Sequence, residues 1–84
     1  QKISEGSYVS LYPNPASGSL EINGSMEGHK EVTVFDIAGR KILSEQESGR
    51  HFVLDISRIV PGCYHVRINE ETGVQAGTLQ FIKQ

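Results

Sequence analysis

The feature that most constrains this chain is how often it must turn. Gly, Pro, Asn, Asp and Ser cluster at Pro13 to Gly18, Gly24 to Gly28, Ile37 to Gly39, Ser48 to Arg50, Pro61 to Gly62 and Glu71 to Gly73. These residue types supply the backbone geometries of tight turns. Six breaks in 84 residues leave seven short segments. No stretch carries apolar residues at three- and four-residue spacing long enough for a stable helix, and the residue types also argue for strands: three alanines stand against nine glycines, while Val, Ile and Thr together supply 18 residues. The segments fall near Tyr8 to Tyr12, Ser19 to Asn23, Glu31 to Asp36, Arg40 to Gln46, His51 to Asp55, Cys63 to Asn69 and Val74 to Lys83.

Period-two patterning supports the same reading. Leu20 and Ile22 flank Glu21, and Phe52, Leu54 and Ile56 alternate with Val53 and Asp55. Tyr64, Val66 and Ile68 alternate with His65, Arg67 and Asn69. Each run fits a strand with one face buried and one in water. Tyr64 is therefore read as core, and Phe35 and Phe52 are placed on core faces with it. Ser57 to Val60 has room for one turn. Val74 to Lys83 should fold back on the preceding strand through a hairpin across Glu70 to Gly73, with Gly73 at a positive φ. A single open sheet of seven strands would leave a whole apolar face wet, so the expected fold is all-β: an immunoglobulin-like β-sandwich of about seven antiparallel strands.

A chain of 84 residues holds one core. Val, Ile, Leu and Phe make up 23 of the 84, above the roughly 20% at which charged chains fail to collapse. A net charge of -2 provides no positive field for phosphate backbones, so nucleic acid is not an expected partner. No apolar run approaches the roughly 18 residues that cross a bilayer, and no membrane insertion is expected. The single thiol, Cys63, excludes an internal disulfide. The chain opens on Gln1, and residues 1–7 are read as a linker or cleavage-region remnant, with Glu5-Gly6-Ser7 near the junction. Residues 8–84 form the domain, and a neighbour is expected on its N-terminal side.

Candidate chemistry is sparse. Cys63 and His65 share a strand face, but neighbouring side chains of one face point in parallel, and no orienting acid is visible. His29, His51 and His65 show no ligand-like spacing. The carboxylate pairs Glu45 with Glu47 and Glu70 with Glu71 lie in polar stretches where water keeps them ordinary. Asn23-Gly24-Ser25 matches a glycosylation sequon, yet Asn-Gly is equally a turn former, and the turn is preferred. The residues thus point to no catalytic group, metal or cofactor. Pro13-Asn14-Pro15 is more telling: two prolines fix φ and remove two donors where the first strand ends, and asparagine can close the corner by bonding neighbouring backbone.

Four motifs taken in order resemble a known family: Leu11-Tyr12-Pro13-Asn14-Pro15-Ala16-Ser17-Gly18, Val34-Phe35-Asp36-Ile37-Ala38-Gly39-Arg40, Leu54-Asp55-Ile56-Ser57 and Pro61-Gly62-Cys63-Tyr64-His65-Val66. The chain resembles, from about Leu11 to Gln84, the C-terminal sorting domains of type IX secretion in Bacteroidota. The resemblance implies an exported protein: an N-terminal cargo reaches the periplasm, crosses the outer membrane through the type IX translocon and ends at the cell surface or outside. It implies that a sortase-like peptidase removes the domain, with cargo attachment to surface lipopolysaccharide, so that the chain is substrate and not enzyme. Pro13, Asn14, Pro15, Gly39, Pro61, Gly62 and Tyr64 match the family pattern with a mainly structural role. The terminal Phe81, Ile82, Lys83 and Gln84 are the residues expected to meet the translocon. Gln80 departs from the pattern, which commonly has a basic residue before the last apolar pair, and this leaves Lys83 as the basic candidate. Cys63 stands where family members often carry an aliphatic or small residue.

If the last strand lies at a sheet edge, its unpaired backbone is free to add to a strand of the receptor, or to support a weak homodimer. The alternative reading is an accessory carbohydrate-binding or adhesion module. Sugar sites favour exposed aromatic platforms, and Tyr8 and Tyr12, on one strand face, are the candidates.

Overall fold

The structure, a computed structural model, describes residues 9–24, 27–70 and 75–84. Seven strands are formed: β1 (Val9–Tyr12), β2 (Ser19–Gly24), β3 (His29–Asp36), β4 (Lys41–Ser48), β5 (His51–Asp55), β6 (Gly62–Glu70) and β7 (Gln75–Lys83). They make two antiparallel sheets, of order β1-β2-β5 and β4-β3-β6-β7. Among the described residues there is no helix; Ser57 to Val60 lies in a turn in which the Ile59 N–H donates to the Ile56 carbonyl at 3.3 Å. β4 pairs with β3 rather than β5, so this sandwich divides three and four, unlike the four-and-three division of immunoglobulin constant domains.

Alternation places the core. Register sets Leu20 opposite Leu54 and Ile22 opposite Phe52 in the smaller sheet, and Val32 opposite Ile68 and Val34 opposite Val66 in the larger. With Ala16, Ile56, Tyr64 and Phe81 these side chains form one buried cluster between the sheets, and each large apolar group hidden there is worth about 1.5–3 kcal/mol relative to exposure. Phe35 is a correction. The register sets it opposite His65, on the outer face, where the Arg67 guanidinium lies 4.6 Å from its ring centroid. Val32 and Val34 already occupy the inner positions, so a strict period of two sends Phe35 outward.

Other expectations shift by a residue or two. Asn23 and Gly24 do not turn but remain in β2, opposite Ser10 and Val9 of β1, and the Asn23 amide donates to the Tyr12 hydroxyl at 3.1 Å. β3 begins at His29 and β4 runs on to Ser48, with a register shift at Val34/Phe35 that marks a bulge. β6 and β7 pair as expected, while Gly73 and the turn itself lie outside the described residues.

All seven strands run along one axis, which fixes two poles. Val9, Gly24, His29, Ser48, His51, Glu70 and Gln75 mark one; Tyr12, Ser19, Asp36, Lys41, Asp55, Gly62 and Lys83 mark the other. The chain therefore enters the described domain at one pole and reaches Gln84 at the opposite one, across a body 32 Å in its longest extent.

Candidate functional site: the C-terminal pole

The corner Pro13-Asn14-Pro15 leaves β1 at this pole, through cis peptide bonds before both prolines. Its asparagine does not close the corner upon itself. Asn14 Oδ1 instead accepts the backbone N–H of Ile82 at 2.9 Å. The Ala16 N–H donates to the Ile82 carbonyl at 2.8 Å, and the Gln84 N–H donates to the Ala16 carbonyl at 2.7 Å. Ala16 and Lys83 thus form a parallel bridge that seals the end of β7. β7 is an edge strand, but the outward backbone groups of Ile82 and the N–H of Gln84 are not free. The expectation of an unpaired terminal edge is corrected there, because the corner already occupies it.

Alternation divides the terminal residues into two pairs. Phe81 and Lys83 point inward, at 1% and 8% exposure, whereas Ile82 is 47% exposed and Gln84 lies at the surface. Phe81 stacks on Tyr64 with ring centroids 5.5 Å apart. The Lys83 ammonium donates to the Gln84 carbonyl at 2.9 Å, so the basic group is turned onto the chain's own end. Ile82 and Gln84 form one exposed surface beside Pro13, Asn14 and Pro15.

The remaining motif residues build turns at the same pole. The Tyr64 hydroxyl donates to the Val60 carbonyl and ties β6 to the Pro61-Gly62 corner; such a tyrosine corner is a recurring device of sandwiches. Gly62 has φ 157° and Gly39 has φ 87°, backbone conformations that an L side chain adopts only with strain. Around Gly39, Asp36 Oδ1 accepts the N–H groups of Ala38 and Arg40, each at 2.9 Å, and Oδ2 accepts Arg40 Nε at 2.8 Å. The Arg40 backbone N–H is the main reason the Asp36 carboxyl lies below the usual carboxylate range, with the Arg40 side chain and Ala38 N–H adding to it. Asp55 Oδ1 accepts Ser57 Oγ at 2.7 Å and the Ser57 N–H at 2.9 Å. The serine hydroxyl leads in lowering that carboxyl too.

The residues weighed for chemistry are scattered. Cys63 is exposed. His51 Nε2 lies 3.0 Å from Glu21 Oε1, His29 sits at the far pole and His65 on the outer face of β6. Among the described residues, no three His, Cys, Asp or Glu side chains converge as metal ligands would. Tyr12 is exposed and Tyr8 lies outside the described residues.

One charged residue escaped the sequence reading. Lys30 is buried at the far pole, where its ammonium donates to the carbonyls of Gly28 at 2.8 Å and Gly49 at 2.6 Å and lies 5.8 Å from the Phe52 ring centroid. Burial pushes its pKa down, against the pull of Glu70, Glu27 and Glu47. The available sequence signal is the position: Lys30 is two residues before Val32, on the inward face of β3.

No curated protein matches the chain. A solved structure of PorZ, described as an essential bacterial surface component of the type-IX secretion system of Porphyromonas gingivalis, superposes over 95% of the chain with a TM-score of 0.63 at 20% identity. The match takes in 12% of that protein, so the chain spans a small part of its relative's length, and the likeness is one of fold. A family model, the secretion system C-terminal sorting domain, matches residues 10–83. Such domains are C-terminal parts of cargo proteins that the type IX system exports to the cell surface or beyond, and theirs is not a catalytic family. With nearly its whole length matched, the chain belongs to the family of type IX secretion C-terminal sorting domains.

Proposed function

We propose that this domain carries an N-terminally joined cargo from the periplasm through the outer-membrane type IX translocon, and that the translocon reads the C-terminal pole. A sortase-like peptidase then removes the domain upstream of β1 and joins the cargo to surface lipopolysaccharide. One observation carries the reading. The corner, the Asp36–Arg40 turn, the Asp55–Ser57 turn, the Pro61-Gly62 corner and the terminal residues all gather at the pole opposite Val9. A receptor that serves many cargoes needs a surface common to the tags and remote from the cargo, and this pole meets both requirements.

The recognised surface in this reading is composite. Ile82 and Gln84 supply its rim, Pro13, Asn14 and Pro15 its shoulder, while Phe81, Lys83, Gly39, Gly62 and Tyr64 hold the shape. The test is export of a fluorescent protein with a periplasmic signal at its N-terminus and this chain at its C-terminus, in hosts with and without the translocon. Translocon-dependent surface or medium fluorescence is the expected result. Periplasmic retention of a folded fusion in both hosts overturns the reading. Ile82→Ser should reduce export with the melting temperature unchanged. Mass spectrometry of the exported cargo then reports the cleavage and any lipid adduct.

A further inference from the structure

β4 forms the other edge of the larger sheet, and among the described residues no strand pairs with its outer side. Its one neighbour is β3. The Gly49 N–H donates to the Gly28 carbonyl at 3.3 Å, which makes His29 and Ser48 a non-hydrogen-bonded pair. Counting in twos, the backbone groups of Ser44, Gln46 and Ser48 then point away from β3 into solvent. β4 carries no proline; its guards against pairing are the bulge opposite Val34/Phe35 and the inward-facing carboxylates of Glu45 and Glu47, which act against a like strand. The side chains of Leu43, Glu45 and Glu47 lie on the face shared with Val34, Val32 and Lys30, toward the gap between the sheets. Beside Leu43 a cleft of about 540 Å³ opens, lined by Leu43, Ile59, Val60 and Tyr64 together with the charged Glu45, Asp55 and Arg58.

A second copy of the chain fits this edge badly. A twofold pairing that uses all three outward residues centres on Gln46 and sets Glu45 directly opposite Glu47 of the second copy, twice. Like charges opposite one another destabilise a ladder. A pairing centred on Ser44 runs into the bulge opposite Val34/Phe35 and ends. The edge instead presents two carboxylates and one apolar position at alternate residues, a pattern that basic and apolar side chains complement.

We propose that the outer edge of β4 receives an extended peptide segment of another protein, antiparallel to β4, with basic side chains opposite Glu47 and Glu45 and an apolar one opposite Leu43. Main-chain bonds to Ser44, Gln46 and Ser48 hold the strand, and the alternate side chains select it. The site lies on the flank of the sandwich and does not rest on the export reading. It binds a sequence of the form basic-x-basic-x-apolar.

The test titrates the isotope-labelled 84-residue chain at low salt with the peptide Thr-Lys-Thr-Lys-Thr-Val-Thr and follows backbone amide shifts. The amides of Ser44, Gln46 and Ser48 should move together. A peptide with both lysines replaced by glutamate should bind about tenfold more weakly, given two reversed cross-strand charge pairs. The double variant Glu45→Lys, Glu47→Lys should invert that preference. Ser44→Pro removes an outward donor without touching the β3 ladder and should abolish binding. Proline in place of the peptide's third residue, the threonine opposite Gln46, blocks the same bonds from the other side and needs no folded variant. Equal binding of the two peptides, shifts confined to other strands, no binding at all, or concentration-dependent pairing of β4 without peptide would each overturn the proposal.

Discussion

The side-chain carbonyl of Asn14 accepts the N–H of Ile82 across 68 positions of sequence, the one side-chain bond in the clasp that ties the first corner to the last strand among the described residues. Asn14→Ala should cost about 1 kcal/mol, the net worth of a hydrogen bond, plus the exposure of an orphaned donor. The loss is local: hydrogen exchange at Ile82 and Gln84 should accelerate more than at Val66. Asn14→Asp keeps an acceptor and should retain most of the protection. Unchanged exchange at Ile82 in the alanine variant would show that the bond contributes nothing.

Tyr64 makes two separable contributions. Tyr64→Phe keeps the ring against Phe81 and loses the bond to Val60, which should lower stability by about 1 kcal/mol. Tyr64→Ala opens a cavity and should cost about 3–5 kcal/mol, as aromatic truncations in cores do. Urea midpoints on the two variants measure the difference, and equal losses would mean that the hydroxyl carries the whole effect.

Glycine is needed at Gly39 for its backbone and not for space. A Cβ at this position would have no neighbour within 4 Å, so Gly39→Ala should cost about 1–2 kcal/mol through left-handed strain alone. At Gly62 an added Cβ meets the Tyr64 ring at 3.7 Å, an ordinary contact, and the penalty should again follow from φ. Thermal melts test both, and Gly39→Asn should lose less than Gly39→Ala.

Lys30→Met preserves the buried stem and removes the donor to Gly28 and Gly49. Leaving those carbonyls without their ammonium should cost about 1–3 kcal/mol, read as a lower urea midpoint. A midpoint equal to that of the unaltered chain would assign the ammonium no net role.

The response to acid should have two parts. Asp36 and Asp55 titrate lower when folded than their ordinary value of 3.8, so the stability they confer is complete above that value and is lost as pH falls through their depressed folded values. Glu47 behaves oppositely. Burial, with help from Glu45, raises its pKa above 4.5, so acidification from neutrality first relieves a cost. Urea midpoints should therefore rise slightly from neutral pH before they fall. Glu47→Gln should remove the rise, and the double variant Asp36→Asn, Asp55→Asn should flatten the fall.

Period-two patterning was sufficient to place Leu20, Ile22, Phe52, Leu54, Ile56, Tyr64, Val66 and Ile68 in the core, because a strand offers its side chains only two directions. It also held the answer for Phe35, which alternation with Val34 sends to the outer face. Lys30 was hidden by its charge: only tertiary structure brings two carbonyls to a core-facing ammonium. The clasp of Asn14 and Ala16 on Ile82 and Gln84 has no local signature, since nothing near residue 14 specifies what residue 82 does. The motifs were visible as strings, and their meeting at one pole needed the fold.

Because the two ends of the described chain emerge at opposite poles, tension between cargo and C-terminus runs along the strands. β1 and β7 both travel from the first pole to the second, so a pull draws them in opposite senses past their neighbours. Ladder bonds lie across the strands, and such a load shears many of them together instead of peeling them one at a time. The bridge between Ala16 and Lys83 is strained in the same manner. A domain built this way resists load along the line that joins its two described ends.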